Sequence, residues 1–167
     1  NGLARAIDQE EALAILAQAD EAGLVLQPGN ARDALFICSC CGCCCGILTN
    51  VKRHPKPASM VASAFVAALD VETCTGCGTC ETRCQMEAIR LQEDKAALDL
   101  DRCIGCGLCV TTCPTEAIEL VKKSEDQLYV PPKSGMETYI RIMQERGKLF
   151  VGHGENLQDR EPRHPRL

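Results

Sequence analysis

Two copies of one cysteine spacing, set 29 residues apart, constrain this chain more than any other feature. Cys74, Cys77, Cys80 and Cys84 follow C-x2-C-x2-C-x3-C, and Cys103, Cys106, Cys109 and Cys113 repeat it, with Pro114 next. The same offset carries Leu69-Asp70 onto Leu98-Asp99, and Glu87-Ala88-Ile89 onto Glu116-Ala117-Ile118. Such self-similarity marks one supersecondary unit used twice. Three thiols at two-residue gaps wrap a tight loop around a cubane iron–sulfur core, each sulfur meeting a different iron. Gly76, Gly78, Gly105 and Gly107, again pairwise 29 apart, are cofactor-binding candidates. Backbone there must come close to the core and aim N–H groups at its sulfurs.

The alternatives for so many thiols are disulfides and zinc. Fourteen cysteines in 167 residues would suit a disulfide scaffold in a secreted chain, but such frameworks do not need the same spacing twice. Structural zinc sites favour separated C-x2-C pairs over four-cysteine runs. Thiolate ligands persist in a reducing compartment, and no apolar run reaches the roughly 18 residues of a membrane span. The expectation is therefore a cytoplasmic protein without a membrane partner. Asn1 stands where a Met would open a complete chain, which reads as a fragment or processed product with more sequence upstream.

Net charge of −5 leaves no footprint for nucleic acid or an anionic membrane. With 3% aromatics and no Trp, the apolar core is modest, and metal is the expected staple. No dinucleotide fingerprint or phosphate loop is present, so neither nucleotide nor flavin binding is expected. His54, His153 and His164 sit in connector or tail and read as solvated.

Four segments are expected. Residues 1–37 form a small helical cap, with Asp8 and Glu11 as a capping box, Ala12, Leu13, Ile15, Leu16 and Ala19 on one helical face, and Gly23 ending the helix. Leu24-Val25-Leu26 and Ala34 to Ile37 read as short extended pieces beyond it. Residues 38–63 are a cysteine-rich loop and a basic connector, Arg53 to Pro57, followed by a partly helical stretch. Residues 64–122 read as strand, cysteine loop, short helix, strand, twice over: Phe65–Leu69, Ile89–Leu91, Ala96–Leu100 and Ile118–Val121 are the strands. Residues 123–167 are an arm and mobile tail, with an amphipathic helix from Met136 to Phe150.

Residues 64–122 resemble the bacterial two-[4Fe-4S] ferredoxin family, including the 18 residues between Cys84 and Cys103. The resemblance covers about a third of the chain. It implies an α+β, ferredoxin-like pseudo-twofold fold and two [4Fe-4S] clusters. Carried onto this sequence, it implies that Cys74, Cys77, Cys80 and Cys113 hold one cube, and Cys103, Cys106, Cys109 and Cys84 the other. The match departs at Gln85, where the family has a proline like Pro114. That proline shields the cluster, so Gln85 leaves the first cluster's potential open.

Cys38, Cys40, Cys41, Cys43, Cys44 and Cys45 place six more thiols in eight positions. Cys38, Cys41 and Cys44 reproduce the x2 spacing, Cys40 and Cys43 interleave, and Leu48 stands where a fourth ligand would fall. A third iron–sulfur cluster is the expectation, drawing on four or more of these. Zinc, copper(I) and exchanging thiols are the alternatives. The run resembles that of largely uncharacterised multi-cluster proteins of anaerobic bacteria. Cys40-Cys41-Gly42 is also similar to the heterodisulfide-reductase motif, whose distant partner cysteines are absent.

The functional expectation is an electron-transfer protein or subunit, paired with donor and acceptor redox enzymes and not an enzyme by itself. Two alternatives stay open: a redox or metal sensor built on the six-cysteine run, and a reductase with a catalytic cluster there. Donor, acceptor and oligomeric state are not legible.

Overall fold

The computed structural model describes residues 4–147. They fall into two compact units, residues 4–29 with 35–130, and residues 30–34 with 131–147. The tail from Gly152 onward, with His153 and His164, lies outside the described residues. Four α-helices and three two-stranded antiparallel sheets are present among the described residues, a small mixed α/β architecture.

The larger unit opens with helix α1, Gln9–Glu21. The Asp8 side chain accepts from the Glu11 N–H at 2.8 Å, satisfying one free donor of the first turn. Only that half of the capping box forms, because the Glu11 carboxylate turns to Arg5 instead. At the other end Gly23, at φ +76°, and Leu24 donate to the carbonyls of Asp20 and Ala19, closing the helix with a left-handed residue. The buried face is narrower than its apolar pattern implies. Ala19 is buried and Ala12 and Leu16 half-buried, whereas Leu13 is 57% and Ile15 47% exposed.

Strands β1, Val25–Pro28, and β2, Ile37–Cys40, then pair antiparallel, with Val25 opposite Cys40. The cysteine run is thus not one loop. Cys38 and Cys40 end a strand, residues 41–45 make a turn, and Cys45 is the N-cap of helix α2, Gly46–Arg53. Leu48 and Val51 of α2 are buried, and a short 3-10 turn over Pro57–Met60 leads on.

The repeat follows. Strand β3, Phe65–Leu69, leads to the first cysteine run, helix α3, Thr79–Arg83, and strand β4, Ile89–Gln92. A two-residue turn at Glu93 and Asp94, both at positive φ, returns the chain as β5, Lys95–Leu98. The second run ends in β6, Ile118–Lys122. Strand β3 pairs with β6, and β4 with β5. The registers match: Leu69 faces Ile118 and Val66 faces Val121, while Leu98 faces Ile89 and Lys95 faces Gln92. Each partner in one ladder is 29 residues from its counterpart in the other.

The second copy departs from the expected pattern at one point. Residues 108–112, equivalent to α3, form turns, with Val110 N–H reaching the Gly107 carbonyl at 2.8 Å. The consecutive β-branched residues Val110, Thr111 and Thr112 lower helix propensity there.

In the smaller unit helix α4 spans Gly135–Glu145, with the Ser134 side chain accepting from Glu137 N–H. Gly147, at φ +63°, follows the end of this helix. It stops before the expected Phe150, which itself lies outside the described residues.

Candidate functional site

The repeat places its eight cysteines around two cavities. The first is lined by Cys74, Cys77 and Cys80 from the first run together with Cys113 from the second. The second is lined by Cys103, Cys106 and Cys109 together with Cys84. Three thiols in each cavity come from one cysteine run, and the fourth is the last cysteine of the other run. All fourteen cysteines are free thiols.

The four candidate glycines line these cavities, all at positive φ. A side chain is excluded most sharply at Gly76 and Gly105. A Cβ there would lie 1.9 Å from the Asp94 carbonyl oxygen and 2.1 Å from that of Phe65, respectively. Backbone N–H groups point at the sulfurs: Gly76 and Ala96 donate to Cys74 Sγ at 3.4 and 3.5 Å, Ala88 to Cys84 Sγ at 3.2 Å, and Ala117 to Cys113 Sγ at 3.3 Å. Glu87 and Glu116 adopt φ +55° and +54°, an uncommon conformation for non-glycine residues, in the sharp turns that deliver the last two donors. Four soft thiols per cavity, with three such N–H donors at the first and one at the second, fit an iron–sulfur cube, whose added negative charge such dipoles favour. Without such a cation the same burial opposes ionisation: it pushes the Cys106 thiol up, and the Cys109 thiol up to about 12.

The two cavities are not equivalent. Thr75, Thr79 and Thr115 line the first, and the positions 29 residues away are Ile104, Leu108 and Met86 in the second. Thr79 Oγ1 lies 3.5 Å from Cys77 Sγ, and this contact lowers the Cys77 pKa. Thr115 Oγ1 lies 3.7 Å from Cys113 Sγ. Lys95 Nζ donates to the carbonyls of Val71 and Cys74 at 3.0 and 2.5 Å, where the first repeat has Val66 in its place. The reason for the asymmetry is packing. Ile104, Leu108 and Met86 share a buried apolar core with Val25 of β1 and with Leu48 and Val51 of α2, so the N-terminal elements cover the second cavity's wall.

Gln85 fixes that cover. Its Oε1 accepts from the Gly42 N–H at 2.8 Å, and its Nε2 donates to the Gly23 carbonyl at 2.9 Å. It therefore ties the end of α1 and the cysteine turn to the first run, and its side chain is absent from the first cavity's lining. Arg83 donates to the Asp20 and Glu21 carbonyls at 2.6 and 2.7 Å, and Arg102 joins the Met86 and Lys52 carbonyls. Sequence reasoning missed these ties. The one available signal was glutamine at the position equivalent to Pro114. Gln85→Ala is expected to cost roughly 1–3 kcal/mol, since it strands a partly buried N–H and carbonyl. Hydrogen exchange should show faster exchange at Gly42, with the spectra of the paired four-cysteine sites retained.

The six additional cysteines separate in space. Cys41, Cys43 and Cys44 bring their sulfurs within 4.8 Å of one another. Cys41 and Cys43 share a hydrogen bond at 2.8 Å that pulls the Cys41 thiol down to about 7 and pushes Cys43 up to about 11. Cys40 and Cys45 pack against the apolar core that includes Leu48 and Val51 of α2, as do Cys84, Cys103 and Cys106. Cys38 is exposed on β2. His54 lies outside this group, its ring nitrogen bonded to backbone of Lys56.

A small antiparallel fold carrying paired four-thiol cavities defines a metal-cluster protein. Residues 67–120 match the family model described as a 4Fe-4S dicluster domain, and a second 4Fe-4S dicluster model matches residues 102–147, which contain only the second cysteine run. These matches, with the cysteine-lined cavities, fit a ferredoxin-like iron–sulfur protein. No curated protein matches it. No helix among the described residues is long and apolar enough to cross a membrane.

Proposed function

We propose that this protein relays single low-potential electrons between a donor and an acceptor enzyme in the cytoplasm. Cys74, Cys77, Cys80 and Cys113 hold one cube and Cys84, Cys103, Cys106 and Cys109 the other, in a fold whose repeats are related by a pseudo-twofold axis. The observation that carries this reading is the pair of four-cysteine cavities with N–H groups aimed at their sulfurs. The matching strand registers support the pseudo-twofold. A third iron–sulfur centre in the Cys38–Cys45 run extends the relay, because Cys40 and Cys45 share an apolar core with Cys84, Cys103 and Cys106.

Each cube supplies a one-electron carrier whose reduction adds a negative charge. Thr79, Thr115 and Lys95 favour that charge at the first site, while Ile104, Leu108 and Met86 disfavour it at the second. The first site therefore has the higher potential and is where electrons come to rest. Exposed Cys77 marks its outward edge.

The test is a potentiometric titration of the anaerobic protein followed by EPR. Two reduction steps are expected, and Thr79→Leu should lower only the upper one. The scale is tens of millivolts, with about 60 mV for each tenfold change in the reduction equilibrium. Reduction of a small substrate from dithionite by the isolated protein would sink the relay reading and favour the reductase.

A further inference from the structure

The turn at residues 41–45 brings three sulfurs together. The Gly42 N–H is held by Gln85 at 2.8 Å, its carbonyl accepts from Thr49 Oγ1 at 3.3 Å, and Cys45 N–H closes the turn on the Cys41 carbonyl at 3.2 Å. A Cβ on Gly42 would meet Gln85 Oε1 at 2.9 Å and the Gln85 carbonyl oxygen at 3.2 Å, so a larger residue there would press the turn away from the first run. Held this way, the turn presents Cys41 Sγ 2.8 Å from Cys43 Sγ, Cys43 Sγ 3.5 Å from Cys44 Sγ, and all three within 4.8 Å of one another. Sulfurs this close cannot bind separate irons of a cluster. They suit one ion. Thiolates on a tetrahedral centre with metal–sulfur bonds of about 2.3 Å sit about 3.8 Å apart, inside the spread seen here.

We infer that Cys41, Cys43 and Cys44 bind a single thiophilic cation, zinc(II) or copper(I), at a site separate from the two cubes. Soft thiolate sets select these ions. Three thiolates in so small a space repel one another unless a cation lies between them. Each thiol gives up its proton on binding, so affinity falls as pH falls. Among the described residues no fourth His, Cys, Asp or Glu donor joins the group within the same 4.8 Å limit. The nearby His54 ring is bonded to backbone of Lys56 instead. A zinc ion with three protein ligands keeps its fourth position for water or another outside group. Cys43 and Cys44 are exposed and Cys41 is half-buried, so the ion can enter from solution. The trio differs from the Cys38, Cys41, Cys44 grouping that the x2 spacing suggests, because Cys38 belongs to strand β2 and the other two to the turn. This site goes beyond the electron-relay reading, which the paired four-cysteine cavities carry alone. A third iron–sulfur centre in the same run would have to use Cys38, Cys40 and Cys45.

The full chain, purified anaerobically with both cubes loaded and desalted, is titrated with zinc alone or with buffered copper(I) alone. X-ray absorption at the edge of the added metal then reads its neighbours. One equivalent of zinc or of copper(I) should bind, with three sulfur neighbours and no iron neighbour, and the tighter binder identifies the ion. Cys41→Ser, Cys43→Ser and Cys44→Ser should each weaken binding by more than the roughly 10–100-fold that losing an outer-shell partner costs. Retained cube spectra in these variants show that they fold. Cys38→Ser should bind the ion as the wild type does. Failure of the loaded protein to take up either ion, unchanged binding in Cys43→Ser, weakened binding in Cys38→Ser, or an iron neighbour at the bound metal overturns the site. So does iron in excess of two cubes that Cys41→Ser, Cys43→Ser and Cys44→Ser each lose.

Discussion

Chelating the iron under reducing conditions should unfold residues 64–122 in a single cooperative step. The core shared by the two cavities buries Ala67, Ala96 and Ala117 with Cys74, Cys80 and Cys109, its buried large aliphatics are Ile89 and Ile118, and Leu69, Leu98 and Val110 pack against it half-buried. Alanine brings little apolar area, and the cysteines face the space a cube would fill. The two sheets of this segment have two strands each, a size that is marginal in isolation. Chain entropy for such a segment is not comfortably offset by this burial. Metal binding must therefore contribute folding free energy. Structural zinc contributes about 10–16 kcal/mol in small domains, as large as the roughly 5–15 kcal/mol of an entire native state. The second apolar core should melt in the same step, because its members Ile104, Leu108 and Met86 also wall the second cavity. Circular dichroism during chelation measures this. An apo protein that keeps its native spectrum and its protected amides would show that the chain folds without metal.

The repeat made the strands of residues 64–122 legible, and the caps of α1 were legible because Asp8 and Gly23 act locally. What stayed hidden depends on contacts distant in sequence. Helix α2 begins at Gly46 behind Cys45, which makes no side-chain capping bond, and carries Thr49, Asn50 and Val51, residues with weak helix preference. It is helical because Leu48 and Val51 bury against the second cavity's aliphatic wall. The same wall explains why threonines in one repeat become Ile104, Leu108 and Met86 in the other, a difference visible in the sequence whose meaning requires knowing what covers it. Gln85 is the clearest case. Its departure from the proline pattern suggested an effect on the first cluster, but its side chain reaches Gly42 and Gly23 instead. In α1 the apolar pattern was wider than the buried stripe, and Leu13 and Ile15 stay exposed.

Replacing Cys84 by serine should damage the site of the second run, although Cys84 belongs in sequence to the first. Cys84 lines the cavity of Cys103, Cys106 and Cys109, and the Ala88 N–H donates to its sulfur. Its counterpart Cys113 lines the cavity of Cys74, Cys77 and Cys80. In the proposed ligation serine removes one soft ligand of four, so the second cube should be lost or converted to a three-iron form, while the first keeps its spectrum. Cys113→Ser should give the reverse. The cost should also differ between the two. Loss at the second site opens a hole beneath Leu48 and Val51, whereas the first site's lining includes the exposed Cys77. Cys84→Ser is thus expected to loosen α2 and lower overall stability more than Cys113→Ser, which thermal unfolding under anaerobic conditions will rank. EPR of the two variants decides the ligation. A Cys84→Ser protein that loses its first-run signal and keeps its second would mean each run holds its own cube, and the serine's effect on α2 should then vanish as well.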